Sequence, residues 1–498
     1  MKGGGFVSAY FQSENPFNIQ ARWIANLPGI NQELYQSKDN RDVLADTDDW
    51  DNKADKLFSS LPEFDDVDAL LRNGVSREAE GRLETWREKN SGFAPNLALV
   101  CGLDRRLDWN HILQSTYLRV YLKDGFQSLN DNWDKTGICV LPRVPSLNDP
   151  LDRAGASPAH KTWAHAWERG VNEELTNTYY VEQNWLDMEH NSYTVIHKVV
   201  TDWVTTNPIR VAVSPVSSGV QLQAPHCYET DGRRRFSITG LNDPDYVRRR
   251  VRASYKMAAE LGANILAYPE MLGDASMFGP TEAGSDFFAQ LSEEVGRMGC
   301  SAPGLLLPPT YWHEKNNRLY VTGGDGRRLC VQDKQNPFLY HDSATCKDYL
   351  EDLEGKTKVI CVIHIPYVGR LTFPICKDCL VEPYRTLLVR ALRSTMLLCS
   401  SYSKGSFSFR ISAPASLEYG CYTLWTNTCS ARPECGAPPD YVGLIAAPNA
   451  EMVYPFQPRC QGRCGGPDDV CLFLAEIRRT GGAPEVTMRE HIHPNQKT

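Results

Sequence analysis

Between Arg370 and Leu380 the sequence RLTFPICKDCL joins a short apolar run, typical of a buried strand, to a helical pattern that begins directly after Cys376. A cysteine at such a junction leaves the strand end and lies near the N–H groups of a helix N-terminus, which favour the thiolate. The pattern therefore predicts alternating strands and helices in this part of the chain, with Cys376 as a candidate nucleophile.

Two ionisable residues earlier in the chain stand at similar positions. Glu270 closes the apolar run ANILAYPE, and Lys334 follows a Gly-Gly-Asp-Gly turn in GGDGRRLCVQDKQNPF. A carboxylate, an ammonium group and a thiol at the ends of predicted strands form a candidate nucleophilic site. Each residue alone has an ordinary interpretation as a loop, surface or packing residue. Together they predict that Glu270, Lys334 and Cys376 converge on one pocket.

The sequence before Glu270 predicts a strand–helix–strand unit. Ile209–Val213 alternates as a strand, Asp243 suits a helix N-cap, and Pro244 suits the first helical position. Apolar residues then recur at helical spacing, and Gly262 ends the helix before a short buried strand; the spaced residues are Val247, Val251, Tyr255, Ala258 and Leu261.

Further elements are expected after this unit. Strands are predicted at Leu305–Leu307, Arg318–Thr322, Leu329–Gln332, Lys358–Ile365 and Leu371–Ile375, and in the segments CYTLWTN, GLIAAP and CLFLAEI. A helix is predicted from about Pro383 to Leu398. The tail after Arg479 is polar, and we expect it to be loose.

Tryptophan residues are unevenly distributed along the chain, since nine of the eleven lie before residue 207. We predict a mainly helical accessory domain at 1–206, a second domain at 207–479 and a polar tail at 480–498. The helical segments expected in the first domain are LDWNHILQSTYLRVYL, HKTWAHAWERGVNEEL and NSYTVIHKVVTDWV.

Composition narrows the functional classes. The net charge of −8 argues against sequence-independent binding of nucleic acid by the chain as a whole. The N-terminus lacks the apolar core of a signal peptide, and no stretch approaches the roughly 18 apolar residues of a membrane span. We therefore expect a cytoplasmic protein whose 16 cysteines are reduced.

From Ile209 to Ile477 the chain resembles the carbon–nitrogen hydrolase, or nitrilase, superfamily. That family's motifs are a strand ending in Pro-Glu, a lysine after a glycine turn, and a cysteine after an apolar strand that is followed closely by Asp. They are matched by ILAYPE, VQDKQNPF and TFPICKD, which supply Glu270, Lys334, Cys376 and Asp378. A fourth segment, SLEYGCYTLWTN, matches with Glu418 and Asn427.

The resemblance implies a fold class and a chemistry. The fold would be α/β, a four-layer αββα nitrilase-like sandwich preceded by the mainly helical N-terminal domain. The chemistry would be hydrolysis of a non-peptide C–N bond in a small amide, carbamoyl compound or nitrile, through a thioester on Cys376 and without a cofactor. A further glutamate that orients substrate or lysine is implied at Glu351 or Glu354, of which we favour Glu351. A homo-oligomer is also implied.

Two departures from the family pattern bear on the substrate. Lys377 stands where an aromatic residue is common, and the usual Arg-Phe-Pro-Glu run is replaced by Cys379-Leu380-Val381-Glu382. A different class of function therefore stays open: a nitrilase-like scaffold or effector that has lost or repurposed the chemistry. Nitrilase-like domains also occur joined to bacterial reverse transcriptases in phage (antiviral) defence. This chain has no Tyr-x-Asp-Asp, so a polymerase or nucleic acid would be a separate partner.

The cysteines near the C-terminus have two interpretations. Two pairs flank the segment GLIAAPNAEMVYPF, and the second lies in the glycine-rich turn PRCQGRCGG; the four residues are Cys429, Cys435, Cys460 and Cys464. Such a turn suits tetrahedral thiolate ligation, so a structural zinc site is one interpretation. Reduced thiols without metal are the other.

Overall fold

The computed structural model describes residues 15–27, 47–108, 137–147, 171, 175–182, 187–188, 191–200, 203, 207–217, 219–278, 286–313, 315–417, 419–431, 440–448, 453–459, 470–479 and 485–492. Helices and strands alternate along much of this part of the chain, which makes it a mixed α/β protein. None of its helices is long and apolar enough to cross a membrane.

The helices, in chain order, are α1 Pro16–Ala25, α2 Thr47–Ser59, α3 Val67–Asn73, α4 Arg77–Lys89, α5 Phe93–Arg106, α6 Pro244–Glu260, α7 Asp286–Arg297, α8 Lys377–Leu380, α9 Glu382–Thr386, α10 Phe407–Ser412 and α11 Pro414–Leu417. Short 3₁₀ turns lie at Pro62–Phe64 and Ala275–Met277, and a π-helical turn lies at Leu387–Ala391.

The strands are β1 Ile138–Pro142, β2 Thr178–Glu182, β3 Asp187–Met188, β4 Asn191–Ser192, β5 Thr194–Val199, β6 Ile209–Val213, β7 His226–Thr230, β8 Arg233–Ser237, β9 Ile265–Ala267, β10 Leu305–Leu307 and β11 Tyr311–His313. They continue with β12 Asn316–Gly323, β13 Arg328–Asp333, β14 Leu339–Asp342, β15 Lys347–Glu351, β16 Val359–Ile365, β17 Gly369–Thr372, β18 Met396–Ser400, β19 Tyr422–Thr426, β20 Gly443–Ala446, β21 Leu472–Arg478 and β22 Glu485–Ile492.

The larger main sheet has eight strands, in the order β11-β12-β10-β9-β6-β21-β22 with β13 paired to β12. β6 and β9 are parallel, with Val211 opposite Ile265, and α6 connects them. Asp243 caps α6 by accepting a hydrogen bond of 2.9 Å from the N–H of Tyr246, and Pro244 is the first helical residue. The predicted strand–helix–strand unit is therefore confirmed.

The second main sheet has six strands, in the order β20-β19-β18-β17-β16-β5. β17, β18 and β19 are parallel, so their carboxyl ends meet at one edge of the sheet. Ile375, beyond the end of β17, forms a bridge with Ser400 at the end of β18. This bridge places the following residue, Cys376, at that edge.

The two main sheets share one hydrophobic core. Residues of β6 and β9, such as Val211 and Ile265, lie in the same buried cluster as Ile363 of β16 and Leu398 of β18. The opposite face of the eight-stranded sheet packs on α6 and α7. The opposite face of the six-stranded sheet packs on the 384–392 segment and on helices of the N-terminal part.

A separate four-stranded sheet, in the order β14-β15-β8-β7, was not expected from the sequence. Its strands, such as RRRFS and KDYLE, are polar and partly exposed, so they lack the apolar run that marks a buried strand. β15 runs parallel to β8, with Glu351 opposite Phe236. This pairing fixes the position of Glu351 at the last residue of β15.

The predicted helix in NSYTVIHKVVTDWV is wrong where the structure describes it. Thr194–Val199 is strand β5, which pairs in parallel with β16 from Val359 to His364. Its β-branched residues alternate between a buried and a partly exposed face, and this favours a strand. A domain limit at 207 thus leaves β5 apart from the sheet to which it is hydrogen-bonded. Most of the other two expected helical segments falls outside the described residues.

Two further expectations need correction. The helix predicted to reach Leu398 ends earlier, because Arg393 adopts a positive φ of 52° and Met396–Ser400 forms the buried strand β18. Glu485–Ile492, in the tail expected to be loose, pairs with β21 as strand β22. In both cases pairing in a sheet outweighs the local pattern.

The cysteines are not all reduced as expected. Cys330 of β13 and Cys361 of β16 form a disulfide. Both side chains lie in the core between the two main sheets, which brings residues of different sheets together. Eleven other cysteines in the described part of the chain, among them Cys376, are not in a disulfide.

Candidate active site

Strand ends deliver the three predicted residues to one place. Glu270 follows β9, Lys334 directly follows β13, and Cys376 is the residue before α8. Their relative exposures are only 1%, 1% and 7%, so all three are buried. Charged residues this deeply buried require partners.

Lys334 has two carboxylate partners. Its Nζ lies 2.7 Å from Oε1 of Glu270 and 2.8 Å from Oε2 of Glu351. Burial alone would lower the pKa of Lys334, but the two carboxylates outweigh it and raise this pKa well above its ordinary value. Lys334 is therefore an ammonium ion at neutral pH, available as a hydrogen-bond donor.

Of the two candidate glutamates, the structure brings only Glu351 to Lys334. Its Oε2 also accepts a hydrogen bond of 2.8 Å from the backbone N–H of Phe338. Burial raises the pKa of Glu351 above its ordinary value, while Lys334 lowers it. Glu354 instead pairs with Lys315 at 3.1 Å on the exposed side of the loop.

The thiol of Cys376 lies close enough to Glu270 and Lys334 for both charges to act on its pKa. Cys376 adopts φ 49° and ψ −102°, a left-handed conformation that a residue with a side chain rarely adopts. Its N–H donates to the carbonyl of Ser400 at 2.8 Å, which holds this turn at the edge of the six-stranded sheet. Strained backbone of this kind often occurs at functional sites.

Burial and the negative charge of Glu270 raise the pKa of Cys376 well above its ordinary value, and Lys334 lowers it. The resting group is therefore a thiol. This arrangement differs from the stable thiolate that the sequence suggested at a helix N-terminus. It suits proton transfer to Glu270 at the moment of attack.

Glu270 has two partners that were not foreseen. The side-chain amide of Asn317 donates to its Oε1 at 2.7 Å, and the N–H of Tyr402 donates to its Oε2 at 2.9 Å. Thr310 orients Asn317 by donating to its Oδ1 at 2.7 Å. An asparagine within a strand and a backbone N–H in a loop leave no distinctive signal in one sequence, so sequence reasoning had no way to find them.

Asn427 acts through the loop that carries Tyr402. Its Oδ1 accepts from the N–H of Ser403 at 2.9 Å, and its Nδ2 donates to the Ser403 carbonyl at 2.9 Å. These bonds hold the loop from which the N–H of Tyr402 donates to Glu270. Glu418, the other residue of the fourth motif, lies outside the described residues.

Asp378 connects two of the loops that form the site. Its carboxylate accepts hydrogen bonds from the N–H groups of Gln335 at 3.0 Å and Asn336 at 2.7 Å, just after Lys334. It also accepts one of 3.2 Å from the N–H of Ile375, just before Cys376. Burial raises the pKa of Asp378, and its hydrogen bonds oppose this effect. One carboxylate thus sets the distance between lysine and thiol.

The predicted zinc site stays a prediction. Cys435, Cys460 and Cys464 lie outside the described residues, and Cys429 is buried and is not part of a disulfide. Among the residues that the structure places, no group of three or more His, Cys, Asp or Glu could hold a metal ion.

Neither a protein-family model nor a curated protein sequence matches the chain. Several solved structures do. An amidase from Nesterenkonia sp. is 15% identical with a TM-score of 0.35, and the match covers 56% of this chain and 94% of that one. Nit3 of Saccharomyces cerevisiae, a member of branch 10 of the nitrilase superfamily, is 14% identical with a TM-score of 0.35, covering 58% and 92%. Each of these is a solved structure to which the chain is similar.

The C. elegans NitFhit protein matches in the same way, with 15% identity and a TM-score of 0.37, covering 56% of this chain and 62% of that one. Identities and TM-scores this low mark a distant likeness. It carries no argument about substrate or mechanism, for which the contacts of Glu270, Lys334 and Cys376 have to stand alone.

Proposed function

We propose that this chain is a thiol-dependent hydrolase of a non-peptide C–N bond, in a small amide, carbamoyl compound or nitrile. One observation carries the proposal: a buried carboxylate and a buried ammonium group lie 2.7 Å apart, and the charges of both act on the pKa of a buried thiol. A nucleophile, a base and a cation within direct contact are what acyl transfer requires.

In the first step, Glu270 accepts the proton of the Cys376 thiol while the sulfur attacks the carbon of the C–N bond. Negative charge develops on the substrate oxygen or nitrogen. Lys334 and the backbone N–H of Lys377, the first residue of α8, are the donors that would stabilise it. Loss of one such donor typically raises the barrier by about 3 kcal/mol.

With an amide or carbamoyl compound, Glu270 then returns the proton to the leaving ammonia or amine, and a thioester remains on Cys376. With a nitrile, the proton goes to the substrate nitrogen to give a thioimidate, and a first water adds and expels ammonia to leave the same thioester. Water attacks the thioester with Glu270 again as base, which releases the acid and restores the thiol. Asn317 and the N–H of Tyr402 hold the carboxylate in one orientation through both steps. The raised pKa of Lys334 keeps its charge throughout.

The size of the substrate is limited by access to the sulfur. Cys376 is only 7% exposed, and Glu270 and Lys334 beside it are each 1% exposed. A small acyl or nitrile group reaches such an atom more readily than a folded polypeptide does. This limited access supports a small-molecule substrate, and no cofactor is needed for the steps described.

The finer features of the fold are part of the proposal. The core shared by the two sheets, with helices on their outer faces, supports a four-layer αββα sandwich. We also propose a homo-oligomer. On α10, which packs near α8, Phe407 and Ile411 are 73% and 61% exposed, and a second copy of the chain would cover them.

A panel of small amides, carbamoyl compounds and nitriles tests the activity, with release of ammonia or amine as the readout. Wild type should hydrolyse at least one compound, and Cys376→Ala should hydrolyse none. The alternative, a scaffold or effector of a defence complex, has no observation in its favour among the described residues. It would be preferred if wild type hydrolysed nothing and purified with a polymerase or nucleic acid.

A further inference from the structure

A buried arginine on helix α6 lacks a carboxylate partner. Arg250 is only 1% exposed, and within the described parts of the chain it forms no ion pair. The acidic residues at the start of α6 have other partners, because Asp243 accepts the N–H of Tyr246 and Asp245 pairs with Arg248. A buried charge is strongly unfavourable unless an opposite charge compensates it. Arg250 therefore calls for an anion.

The hydrogen bonds of Arg250 go to two hydroxyl groups. Its Nε and Nη2 donate to the hydroxyl of Tyr246 at 3.1 and 2.9 Å, and Nη2 also donates to Oγ of Ser217 at 3.3 Å. The two hydroxyl oxygens lie 2.8 Å apart. The third nitrogen, Nη1, is buried and has no hydrogen-bond partner.

Donors outnumber acceptors in this cluster. Only one of the two hydroxyl protons can lie between Tyr246 and Ser217, and the N–H of Gly219 also donates to Oγ of Ser217, at 3.2 Å. The other hydroxyl proton and both N–H groups of Nη1 have no acceptor among the residues that the structure places. A group that only accepts hydrogen bonds and carries negative charge would satisfy all of them.

Packing alone does not explain an arginine at this position. The neighbouring buried positions of α6 are apolar, among them Val247 and Val251. The ring of Tyr246 lies 5.1 Å from the guanidinium carbon, which offsets only part of the cost of burying the charge. An apolar side chain would avoid that cost altogether.

We propose that Arg250, Tyr246 and Ser217 bind a small oxyanion, a carboxylate or a phosphate. One of its oxygens would accept from Nη1 of Arg250 and from a hydroxyl group of the cluster. Hydrogen bonds between a guanidinium group and such oxygens are among the strongest in proteins. Tyr246 is partly exposed and Gly219 is exposed, which gives the ligand a route from solvent.

The proposed site is separate from the candidate nucleophile but connected to the loop beside it. Oγ of Ser430 donates to the carbonyl of Ser217, and the carbonyl of Ser430 accepts from the hydroxyl of Tyr402 at 3.3 Å. The N–H of Tyr402 is the group that donates to Glu270. Binding of the anion requires no reaction at Cys376, so it does not depend on the proposed hydrolysis.

Calorimetric titration of the full chain tests the proposal. The protein is dialysed into a chloride buffer and titrated at constant ionic strength with sodium phosphate, with sodium acetate and with the neutral compound acetamide. We expect saturable binding of phosphate or acetate at one site per chain, and no binding of acetamide. The anion that binds more tightly distinguishes a phosphate ligand from a carboxylate ligand. Absence of binding by both anions would overturn the proposal.

Variants make the test specific to the cluster. Arg250→Met should weaken binding of the anion about tenfold or more, because it removes the charged donor. Tyr246→Phe keeps the charge but removes one hydroxyl, should also weaken binding, and carries the test if Arg250→Met does not fold.

Two matched controls should bind the anion as wild type does. Arg252→Met removes another arginine of α6, which lies 3.7 Å from Glu294. Cys376→Ala removes the candidate nucleophile, so its result separates this site from the proposed hydrolysis. Affinity that is unchanged in Tyr246→Phe and in folded Arg250→Met, or that falls equally in Arg252→Met, would contradict binding at Arg250.

Discussion

The ammonium nitrogen of Lys334 lies 2.7 Å from Oε1 of Glu270, although the two residues are 64 positions apart in the chain. The same Oε1 accepts from Asn317, and the same ammonium binds Glu351. Two carboxylates therefore share one buried cation, and the charges of Glu270 and Lys334 both act on the pKa of the Cys376 thiol. This arrangement of one cation and two carboxylates controls both the reactivity of the thiol and the stability of the site.

The reactivity of Cys376 should change in opposite directions when its two charged neighbours are removed. Glu270 raises the pKa of the thiol and Lys334 lowers it. Glu270→Gln should therefore shift the pH profile of Cys376 alkylation by iodoacetamide to lower pH, and Lys334→Met should shift it to higher pH. Each unit of pKa changes the thiolate fraction about tenfold on the acid side of the pKa.

The alkylation rate is measured on the tryptic peptide LTFPICK, residues 371–377, which contains Cys376. Exposed Cys346 serves as an internal reference in each sample. The profile of Cys346 should be the same in all three proteins. Equal profiles for Cys376 in wild type and both variants would mean that neither charge acts on the thiol.

Lys334→Met should lower the free energy of unfolding by about 3 kcal/mol, because it leaves two buried carboxylates without their cation. Lys315→Met is the matched control. Lys315 also bridges two carboxylates, Asp352 at 3.6 Å and Glu354 at 3.1 Å, but its side chain is 52% exposed. Its loss should cost far less than that of Lys334, because solvent screens an exposed pair. Urea unfolding measures both, and equal costs would contradict the buried network.

The same pair of proteins should show a specific dependence on pH. The pKa of Lys334 is raised on folding, so its contribution to stability is fully present below the unfolded value of about 10.4 and is lost as pH rises through the folded value. The stability gap between wild type and Lys334→Met should therefore be constant from neutral pH to about pH 9. A gap that already shrinks steadily between pH 7 and 9 would indicate that Lys334 is not held by its carboxylates.

We expect Asp378 to hold Lys334 and Cys376 at their distance from each other without contacting the substrate. Asp378→Ala removes the acceptor for the N–H groups of Gln335 and Ile375 and should cost roughly 3 kcal/mol in stability. Asp378→Asn keeps one oxygen as acceptor and should cost less. Hydrolysis should fall in the same order, with kcat affected more than KM. Full activity in Asp378→Ala would show that the two loops hold their places without it.

Asn427→Ala should weaken the site from a distance. The loop at 401–403 loses its bonds to the Asn427 amide, so the N–H of Tyr402 no longer fixes Glu270. We expect a stability loss of roughly 1–3 kcal/mol and a lower kcat. Asn317→Ala, which removes the other donor to Glu270, should lower kcat as well. An unchanged kcat in Asn427→Ala would show that the 401–403 loop is not needed to orient Glu270 for catalysis.

Where a buried run is apolar and short, the sequence was sufficient to place the element. Ile209–Val213 and Leu305–Leu307 are strands with the predicted limits, and Glu270 lies just beyond β9 as expected. Strands that pair through polar faces, such as β8 and β15, gave no such signal. The partners of Glu270 could not be predicted either, because they depend on which loops the two sheets bring together.

The prediction for residues near the nucleophile was partly right for the same reason. The strand before Cys376 and the helical turn after it were foreseen, since both depend on local pattern. The end of the helix could not be predicted, because Met396–Ser400 forms a strand that pairs with neighbouring strands on both sides. The raised pKa of the Cys376 thiol could not be predicted from the sequence either. Burial raises this pKa, and it opposes the lowering that a helix N-terminus would cause.

Trapping an acyl group on the nucleophile tests the central claim most directly. Glu270→Gln, incubated with p-nitrophenyl acetate at mildly alkaline pH, should accumulate one acetyl group on LTFPICK that hydroxylamine removes. Wild type should turn the same group over, and Cys376→Ala should lack it. An acetyl group only on exposed Cys346, with Cys376 unmodified in both wild type and Glu270→Gln, would contradict the account.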